Sequence, residues 1–404
     1  MGAFNPTNFQ GDLQDQKHSG HQSPLGVTRT KTVTLSGIRT QSGFTFEQVD
    51  VSYQTLGTLS PARDNAILVC HALSGDAHVA GIHPETGRPG WWDFHVGPGK
   101  AIDTDKFFVI SANVLGGCSG TTGPVSHNPK TGRRYGMDFP PVTIRDMVAV
   151  QAKLIDHLGI PQLFAIIGGS MGGMQALVWA TDYPERVKAC IPIATCISHG
   201  AMQIGFNEIG RRAIITDPDW NSGNYSTEHR PLHGLAVARM IGHVTYLSEF
   251  AMTHKFGRRR PAPESDDADT ALFSVESYLH HQGRSFVKRF DPNSYLCLTR
   301  AVDQFDLFEN KSPETVLRRV SAHFLVISFV SDWLYPPPQS RELVRQLKRE
   351  NIPVTYVNLD TPYGHDSFLI ENPAFAGIVN HFLDNEYRQA GFIHNEQPAA
   401  AVLT

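Results

Sequence analysis

Cysteine is scarce in this sequence, and no two cysteines stand at a spacing that suggests a shared role. The 404-residue chain has five, an odd number without a CxxC pair: Cys70, Cys118, Cys190, Cys196 and Cys297. A disulfide scaffold or a structural zinc site is therefore not expected. Several of these residues stand in apolar runs, where a thiol behaves as a small buried hydrophobe. Unpaired thiols are typical of a reducing compartment, so we expect a cytoplasmic protein.

Long hydrophobic runs and an excess of charge are also lacking. No apolar stretch approaches the roughly 20 residues of a membrane span. The start, "MGAFNPTNFQGDLQDQKHSG", has neither the basic residues nor the apolar stretch of a signal peptide. The formal net charge is −4, which gives no reason to expect nucleic acid or a membrane surface as a partner. The composition is that of a globular protein whose core is large enough to enclose a site.

Short apolar runs alternate with helical patterns over most of the chain. "NAILVCHAL", "FFVISANVLGG" and "LFAIIGGS" have the character of buried strands, and "IRDMVAVQAKLIDHLGI" has helical spacing. Before them, "KTVTLSG" and "FEQVDVSYQTLG" alternate as in a β-hairpin. Strands that alternate with helices predict βαβ units and a mainly parallel central sheet with helices on both faces.

The α/β pattern is interrupted once, and this interruption sets the predicted domain limits. Helical segments dominate residues 200–310, whereas strand patterns fill 29–199 and return in 311–385. We therefore expect an α/β core of 29–199 and 311–385 with a helical lid at 200–310, over the edge where such sheets bind ligands. Residues 1–28 and 386–404 are expected to be a flexible arm and a flexible tail.

One serine stands among glycines between a predicted strand and a predicted helix. In "AIIGGSMGGMQAL", Gly168 to Gly172 match G-x-S-x-G with Ser170 at the centre. In a nucleophile elbow the turn is so tight that small neighbours are required, and the serine hydroxyl is lifted off the sheet. A glycine-rich turn before a helix can instead bind phosphate. The pattern alone leaves both interpretations open.

A base and an orienting carboxylate stand where the nucleophile interpretation needs them. Asp332 follows the strand pattern "FLVISFVS", and His365 stands in "TPYGHDSF" after the strand pattern "VTYVNLD". Both positions are strand ends on the same sheet edge as Ser170, and the order Ser, Asp, His is that of this type of sheet enzyme. We therefore predict a catalytic triad of Ser170, Asp332 and His365. The oxyanion hole is predicted at the N–H groups of Met171 and of Leu73 in "HALSGD".

Several longer strings resemble one known family. "HALSGDAHVAG", "GPGKAIDTDKFFVISANVLGGCSGTTGP", "GGSMGGMQAL", "SDWLYPP" and "GHDSF" resemble the homoserine O-acyltransferase family of the α/β-hydrolase superfamily. The resemblance runs in order over roughly residues 30 to 385. It implies an α/β-hydrolase fold and a homodimer formed through the lid. It also implies acyl transfer from an acyl-CoA to L-homoserine through an acyl-serine intermediate, toward methionine synthesis, with no cofactor.

The resemblance also implies which residues hold the substrates. Arg239 would bind the homoserine carboxylate and Asp366 its ammonium group, with Arg211 as a second candidate arginine. Leu334 stands where succinyl-transferring members carry arginine, which favours acetyl-CoA as the donor. Succinyl transfer, serine as the acceptor, and plain ester hydrolysis stay open as alternatives. A non-catalytic binding protein would not need the triad.

Overall fold

The computed structural model describes residues 22–261 and 271–391. Its main sheet has eight strands in the order β1-β2-β6-β3-β7-β8-β9-β10. Their bounds are β1 Lys31–Arg39, β2 Thr45–Leu56, β3 Ala66–Cys70, β6 Phe108–Ala112, β7 Leu163–Gly169, β8 Val187–Ile193, β9 His323–Phe329 and β10 Val354–Leu359, and a separate pair is formed by β4 Val96–Gly97 and β5 Ile102–Asp103.

The strand directions confirm the predicted α/β architecture. β1 and β2 form the expected antiparallel hairpin, and β2 is antiparallel to β6. From β6 to β10 all neighbours are parallel. β3 and β7 are buried at every position, as strands covered on both faces must be.

Helices cover both faces of the sheet. They are α1 Ile144–His157, α2 Met171–Asp182, α9 Pro337–Arg349 and α10 Pro373–Gln389. Leu68 packs in one apolar cluster with residues of α1, α2 and α9, while its neighbour Ile67 packs in a second cluster with residues of α10. This alternation follows from the pleat, which sends successive side chains to opposite faces.

Between β8 and β9, the described residues of the predicted lid form helices and the loops that connect them, and they include no strand. They are α3 Ala201–Ile215, α4 Leu232–Tyr246, α5 Glu249–Lys255, α6 Ser274–Phe286 and α7 Pro292–Asp303; the short α8 Pro313–Leu317 leads back into the sheet. Their insertion after β8 places them above the carboxyl ends of the parallel strands. Among the described residues, no helix has both the length and the apolar character required to cross a membrane.

The described parts of the two ends that were predicted to be flexible pack against the core. Ser23 is buried and its Oγ donates to Asp93 Oδ1 at 2.6 Å, and Val27 bridges to Ile82, so residues 22–28 pack against the core instead of forming an arm. Helix α10 continues to Gln389 because the Tyr387 ring packs against Phe107, with 5.5 Å between ring centroids. Residues 1–21 and 392–404 of the predicted arm and tail lie outside the described residues.

Candidate active site

Ser170 lies at the turn between β7 and α2 with a backbone conformation that is rare for serine. Its φ is 57° and its ψ is −121°. A residue with a side chain adopts positive φ only when the surrounding structure forces it to, and such strain is concentrated at functional sites. The backbone is fixed on both sides, because Ser170 N donates to Ile193 O at 2.9 Å and Thr195 Oγ1 donates to Ser170 O at 2.9 Å. This geometry is that of a nucleophile elbow.

Four glycines around Ser170 are each required by a different close neighbour. A β-carbon on Gly168 would collide with the Gly172 backbone, and one on Gly169 with the Phe368 ring. A β-carbon on Gly172 would meet the carbonyl oxygen of Cys70, and one on Gly173 the side chain of Thr195. The glycines therefore allow the turn to be approached closely from several directions at once.

His365 and Asp332 form the predicted pair of base and carboxylate. The distance from His365 Nδ1 to Asp332 Oδ2 is 2.8 Å, and both side chains are almost completely buried. The other carboxylate oxygen, Asp332 Oδ1, accepts from the N–H groups of Leu334 and Tyr335, each at 2.9 Å. Asp332 is thereby held in place, and with Nδ1 engaged the Nε2 atom of His365 is the one that can take a proton.

The electrostatic environment favours the protonated form of His365. Burial by itself lowers the pKa of this imidazole, but the charge and hydrogen bond of Asp332, together with the charge of Asp366, outweigh burial and raise the pKa above its ordinary value. An imidazolium formed at this position is therefore stabilised, as a general base requires when it accepts a proton during the reaction.

Two aromatic side chains link Ser170 to His365. The Phe368 ring packs against Gly169, next to Ser170, and lies edge-on to the His365 ring with 5.6 Å between centroids. The Tyr335 ring stacks on His365 with 5.0 Å between centroids, and Tyr335 lines the same cavity as Ser170. Phe368 thus contacts both the turn of Ser170 and the ring of His365.

The two residues predicted for the oxyanion hole line one cavity together with Ser170. This cavity holds about 520 Å³ of space including its mouth. Met171 is the first residue of α2, so its N–H has no partner inside the helix. Within the described chain, the N–H of Leu73 also takes part in none of the backbone hydrogen bonds of its loop. Both groups can therefore donate to a negative charge that forms beside Ser170.

Arg239 is buried on α4, one of the helices of the lid. It is 4% exposed, and its guanidinium lies over the ring of Phe286 at 4.8 Å and over the ring of Tyr246 at 5.8 Å. Its Nη1 donates to Ser74 Oγ at 3.2 Å, next to Leu73. The rest of α4 is only partly buried, since Val237 on the same helix is 43% exposed. The buried cation is nevertheless placed beside the oxyanion loop.

Asp366 is buried next to His365, the predicted base. Burial raises the pKa of its carboxyl, while the positive charges of His365 and Arg239 oppose the rise. Asp366 therefore lies close enough to Arg239 to feel its charge. Tyr246 contacts both sides of this region, with its ring centroid 5.8 Å from the Arg239 guanidinium and 6.0 Å from the His365 ring. A buried arginine and a buried carboxyl group therefore lie near His365, and these are the two kinds of group that a zwitterionic amino acid requires.

Arg211 has two carboxylate partners within the protein. Its Nη1 donates to Asp303 Oδ2 at 2.6 Å and its Nε donates to Glu208 Oε2 at 3.0 Å. Asp303 also accepts from Asn207 Nδ2 at 2.7 Å. These carboxylates engage the Arg211 guanidinium within the protein, and its role as a second arginine for the substrate stays a prediction.

Leu334 lines the cavity and links the lid to the triad loop. Its carbonyl accepts from Gln203 Nε2 at 2.6 Å, and its own N–H donates to Asp332. None of the described residues that line the cavity is lysine or arginine, and Arg239 lies outside this lining. The cavity lining therefore supplies no cation of its own to a second carboxylate on the acyl group.

Sequence reasoning did not single out Tyr335 and His199, which both line the cavity beside Ser170. Tyr335 stood within the quoted string "SDWLYPP", but no pattern indicated that its hydroxyl lies 2.8 Å from His199 Nε2. His199 was one of 19 histidines, and its position beyond β8 gave no signal of a role. Within the described ranges, no cluster of three or more His, Cys, Asp or Glu residues could hold a metal ion.

Comparison with known proteins agrees with this geometry. A family model for the alpha/beta hydrolase fold matches residues 65–372. A homoserine O-acetyltransferase of Methanohalobium evestigatum is 57% identical over 348 residues, 86% of this chain and 71% of that protein.

Solved structures give two further relatives. A homoserine O-acetyltransferase from Bacillus anthracis is 31% identical with a TM-score of 0.82, covering 89% of this chain and 98% of that one. A crystallised esterase is 34% identical with a TM-score of 0.80, covering 88% and 100% of the two chains. The fold and the serine turn define an α/β hydrolase. Within that class, the chain belongs to the homoserine O-acetyltransferase family.

Proposed function

We propose that this protein transfers an acetyl group from acetyl-CoA to the hydroxyl of L-homoserine, giving O-acetyl-L-homoserine for methionine synthesis. The observation that carries the proposal is the presence of a buried guanidinium, that of Arg239, and a buried carboxyl group, that of Asp366, near His365. A carboxylate bound to Arg239 and an ammonium bound to Asp366 would orient an amino acid with its side chain toward the acylated serine.

The first half of the proposed reaction acylates the enzyme. His365 Nε2 takes the proton of Ser170 as Oγ attacks the thioester carbonyl. The N–H groups of Leu73 and Met171 stabilise the oxyanion of the tetrahedral intermediate. When the intermediate collapses, the carbon–sulfur bond breaks and His365 gives its proton to the departing CoA thiolate.

The second half transfers the acyl group. His365 takes the proton of the homoserine hydroxyl, and the homoserine oxygen attacks the acetyl-serine ester. Collapse of the second intermediate breaks the bond to Ser170 Oγ, which regains its proton from His365. Each step uses only groups of the chain and its two substrates, so we propose that no metal or redox cofactor takes part.

Ester hydrolysis is the second candidate, because one similar solved structure is an esterase. The two functions differ in what attacks the acyl-serine. The nearly complete burial of His365, Asp366 and Arg239 supports transfer, since an acceptor that fills the site excludes the competing water. An esterase would have no use for a buried cation–anion pair at the position of the acceptor.

The discriminating experiment offers the purified protein acetyl-CoA with homoserine, with serine or with no acceptor, and measures CoA release and O-acetyl product. We expect homoserine to accelerate CoA release and to be acetylated. One methylene separates serine from homoserine, so a preference of about 5- to 150-fold is expected. CoA release at the same rate with and without an amino acid would contradict the transferase proposal.

The donor is proposed to be acetyl-CoA because Leu334 and the rest of the cavity lining supply no arginine or lysine. The variant Leu334→Arg is expected to gain activity with succinyl-CoA relative to acetyl-CoA, since its guanidinium can pair with the distal carboxylate. The apolar variant Leu334→Met serves as the control and should keep the acetyl preference. An unchanged donor ratio in a folded Leu334→Arg protein would show that this position does not select the acyl group.

We also propose a cytoplasmic homodimer that assembles through the lid. Of ten large hydrophobic side chains that are exposed in the described residues, six lie on α3, α4 and α5: Met202, Ile209, Leu232, Val237, Val244 and Phe250. Such a concentration of exposed apolar surface supports a subunit interface. The five cysteines are all free thiols in the structure, which supports a reducing compartment.

A further inference from the structure

The loop that follows Asp332 is held by two helices of the lid. Trp333 Nε1 donates to the carbonyl oxygen of Leu247, where α4 ends, at 2.9 Å. Gln203, in the first turn of α3, donates from Nε2 to the carbonyl oxygen of Leu334 at 2.6 Å. A carbonyl oxygen only accepts, so the Gln203 amide must turn its NH₂ group toward this loop. Two successive residues of the loop therefore have their hydrogen-bond partners in the lid.

The peptide unit that Gln203 holds is one of the two that orient Asp332. The carbonyl group of Leu334 and the N–H group of Tyr335 belong to the same planar unit, in which they point in opposite directions. This N–H donates to Asp332 Oδ1 at 2.9 Å, and Asp332 Oδ2 lies 2.8 Å from His365 Nδ1. A continuous chain of hydrogen bonds thus leads from the lid, through one rigid peptide unit and the triad carboxylate, to the base.

The Gln203 side chain has little room to move. It is 3% exposed, and a β-carbon on Gly200 would lie 2.6 Å from Gln203 Oε1, so the glycine leaves room for the amide in this position. Gln203 also lines the cavity that contains Ser170. A direct contact with the acyl donor is therefore the other role that an experiment must distinguish.

We propose that Gln203 is a positioning residue for the catalytic triad, which holds the peptide unit between Leu334 and Tyr335 and through it keeps Asp332 directed at His365. In this role the glutamine touches none of the reacting atoms. The inference rests on the triad of the proposed function. It gives the lid a part in the chemistry besides covering the site, because an element outside the hydrolase core determines how firmly the carboxylate is held.

The position of Asp332 can be followed through the protonation of His365. Asp332 and Asp366 face this imidazole and raise its pKa, and the rings of Tyr246 and Tyr335 pack against it. Acylation requires the neutral imidazole, so its rate increases as the pH rises through that pKa. A less firmly held Asp332 stabilises the imidazolium less, and the rate should then reach half of its maximum at a lower pH.

The test measures the pre-steady-state burst with p-nitrophenyl acetate over a range of pH, using the full-length protein. Gln203→Met keeps the length of the side chain but has no N–H group to donate. We expect the maximal burst rate to fall roughly three- to tenfold, the effect of about one hydrogen bond. The pH of half-maximal rate should fall by up to about one unit, with little change in the ester concentration needed for half-saturation. Gln203→Asn, whose amide is too short to reach Leu334, should cause the same shift.

The matched control is Gln162→Met. Gln162 Nε2 donates to the carbonyl oxygen of Glu185 at 2.9 Å, near the amino ends of β7 and β8 and so at the opposite edge of the sheet from Ser170. This variant deletes the same kind of hydrogen bond and should keep both the burst rate and its pH dependence.

An unchanged pH of half-maximal rate in either Gln203 variant that folds would overturn the proposal. Combined with a higher half-saturation concentration, that result would assign Gln203 to binding of the acyl donor. Combined with a smaller burst amplitude alone, it would assign Gln203 to stability. Absence of a burst in the unaltered protein would instead overturn the acyl-serine of the proposed function, and this inference with it. Homoserine and CoA are absent throughout, so an error in either substrate would not alter the result.

Discussion

Replacing Ser170 with alanine is expected to lower kcat for CoA release by on the order of 10⁶-fold, the effect of removing the serine of a comparable triad. The reason is that no other hydroxyl stands on a strained turn beside a buried imidazole and carboxylate pair in the described chain. Rates of CoA release and mass spectrometry of the protein after exposure to acetyl-CoA give the measurement. No acetylated protein should accumulate.

A second serine variant separates loss of the nucleophile from loss of the fold. Ser328 is buried in β9 and its hydroxyl is hydrogen-bonded to Tyr356 and Asn358. Ser328→Ala therefore also deletes a buried hydroxyl, but it should retain activity. If Ser170→Ala still forms the acetyl adduct, the nucleophile is a different residue and the elbow geometry has another purpose.

Replacing Arg239 with methionine is expected to reduce homoserine-dependent turnover by about 10² to 10³-fold, the range found when one partner of a buried charge pair is removed. Methionine keeps a long apolar stem over Phe286 but offers nothing to a carboxylate. The loss should fall mainly on kcat/KM for homoserine. The slow cleavage of acetyl-CoA without acceptor should be retained, because that half-reaction does not involve Arg239.

Arg212 provides the control for Arg239. It lies on the neighbouring helix α3, its side chain is 69% exposed, and it pairs with Glu208. Arg212→Met removes the same atoms from a solvated position and should leave turnover nearly unchanged. Equal losses in acceptor-dependent and acceptor-independent cleavage for Arg239→Met would mean that this arginine supports the oxyanion loop through Ser74 instead of binding homoserine.

Patterns in the sequence predicted the fold and the order of the triad because both depend on local signals. The strand before Ser170 is a continuous apolar run, and Asp332 follows a second such run, β9. His365 stands in the loop after β10, a strand that mixes apolar and polar residues. Parallel strands bring their carboxyl ends to one edge, so three distant positions converge without any knowledge of side-chain contacts.

Side-chain partners could not be predicted in the same way. Arg211 and Asp303 stand on different helices, and their pairing depends on how α3 packs against α7, which periodicity does not determine. The hydroxyl direction of Tyr335 depends on its contact with His199, 136 positions away in the chain. The prediction of a flexible tail from residue 386 failed at the end of α10 for a similar reason. The aromatic contacts of Tyr387, which hold this turn of the helix against the core, could not be read from the sequence.

The four glycines around Ser170 determine which part of the site a substitution in the turn would displace. Three of them admit other segments: Gly169 the one that carries His365, Gly172 the loop that leads to Leu73, and Gly173 the segment just after β8, whereas Gly168 leaves room for Gly172 within the turn itself. A single added methyl group would therefore displace the base, the oxyanion donors or the backbone clamp, according to its position. The turn keeps its shape only if none of these positions carries a β-carbon, and the position of Ser170 depends on that shape.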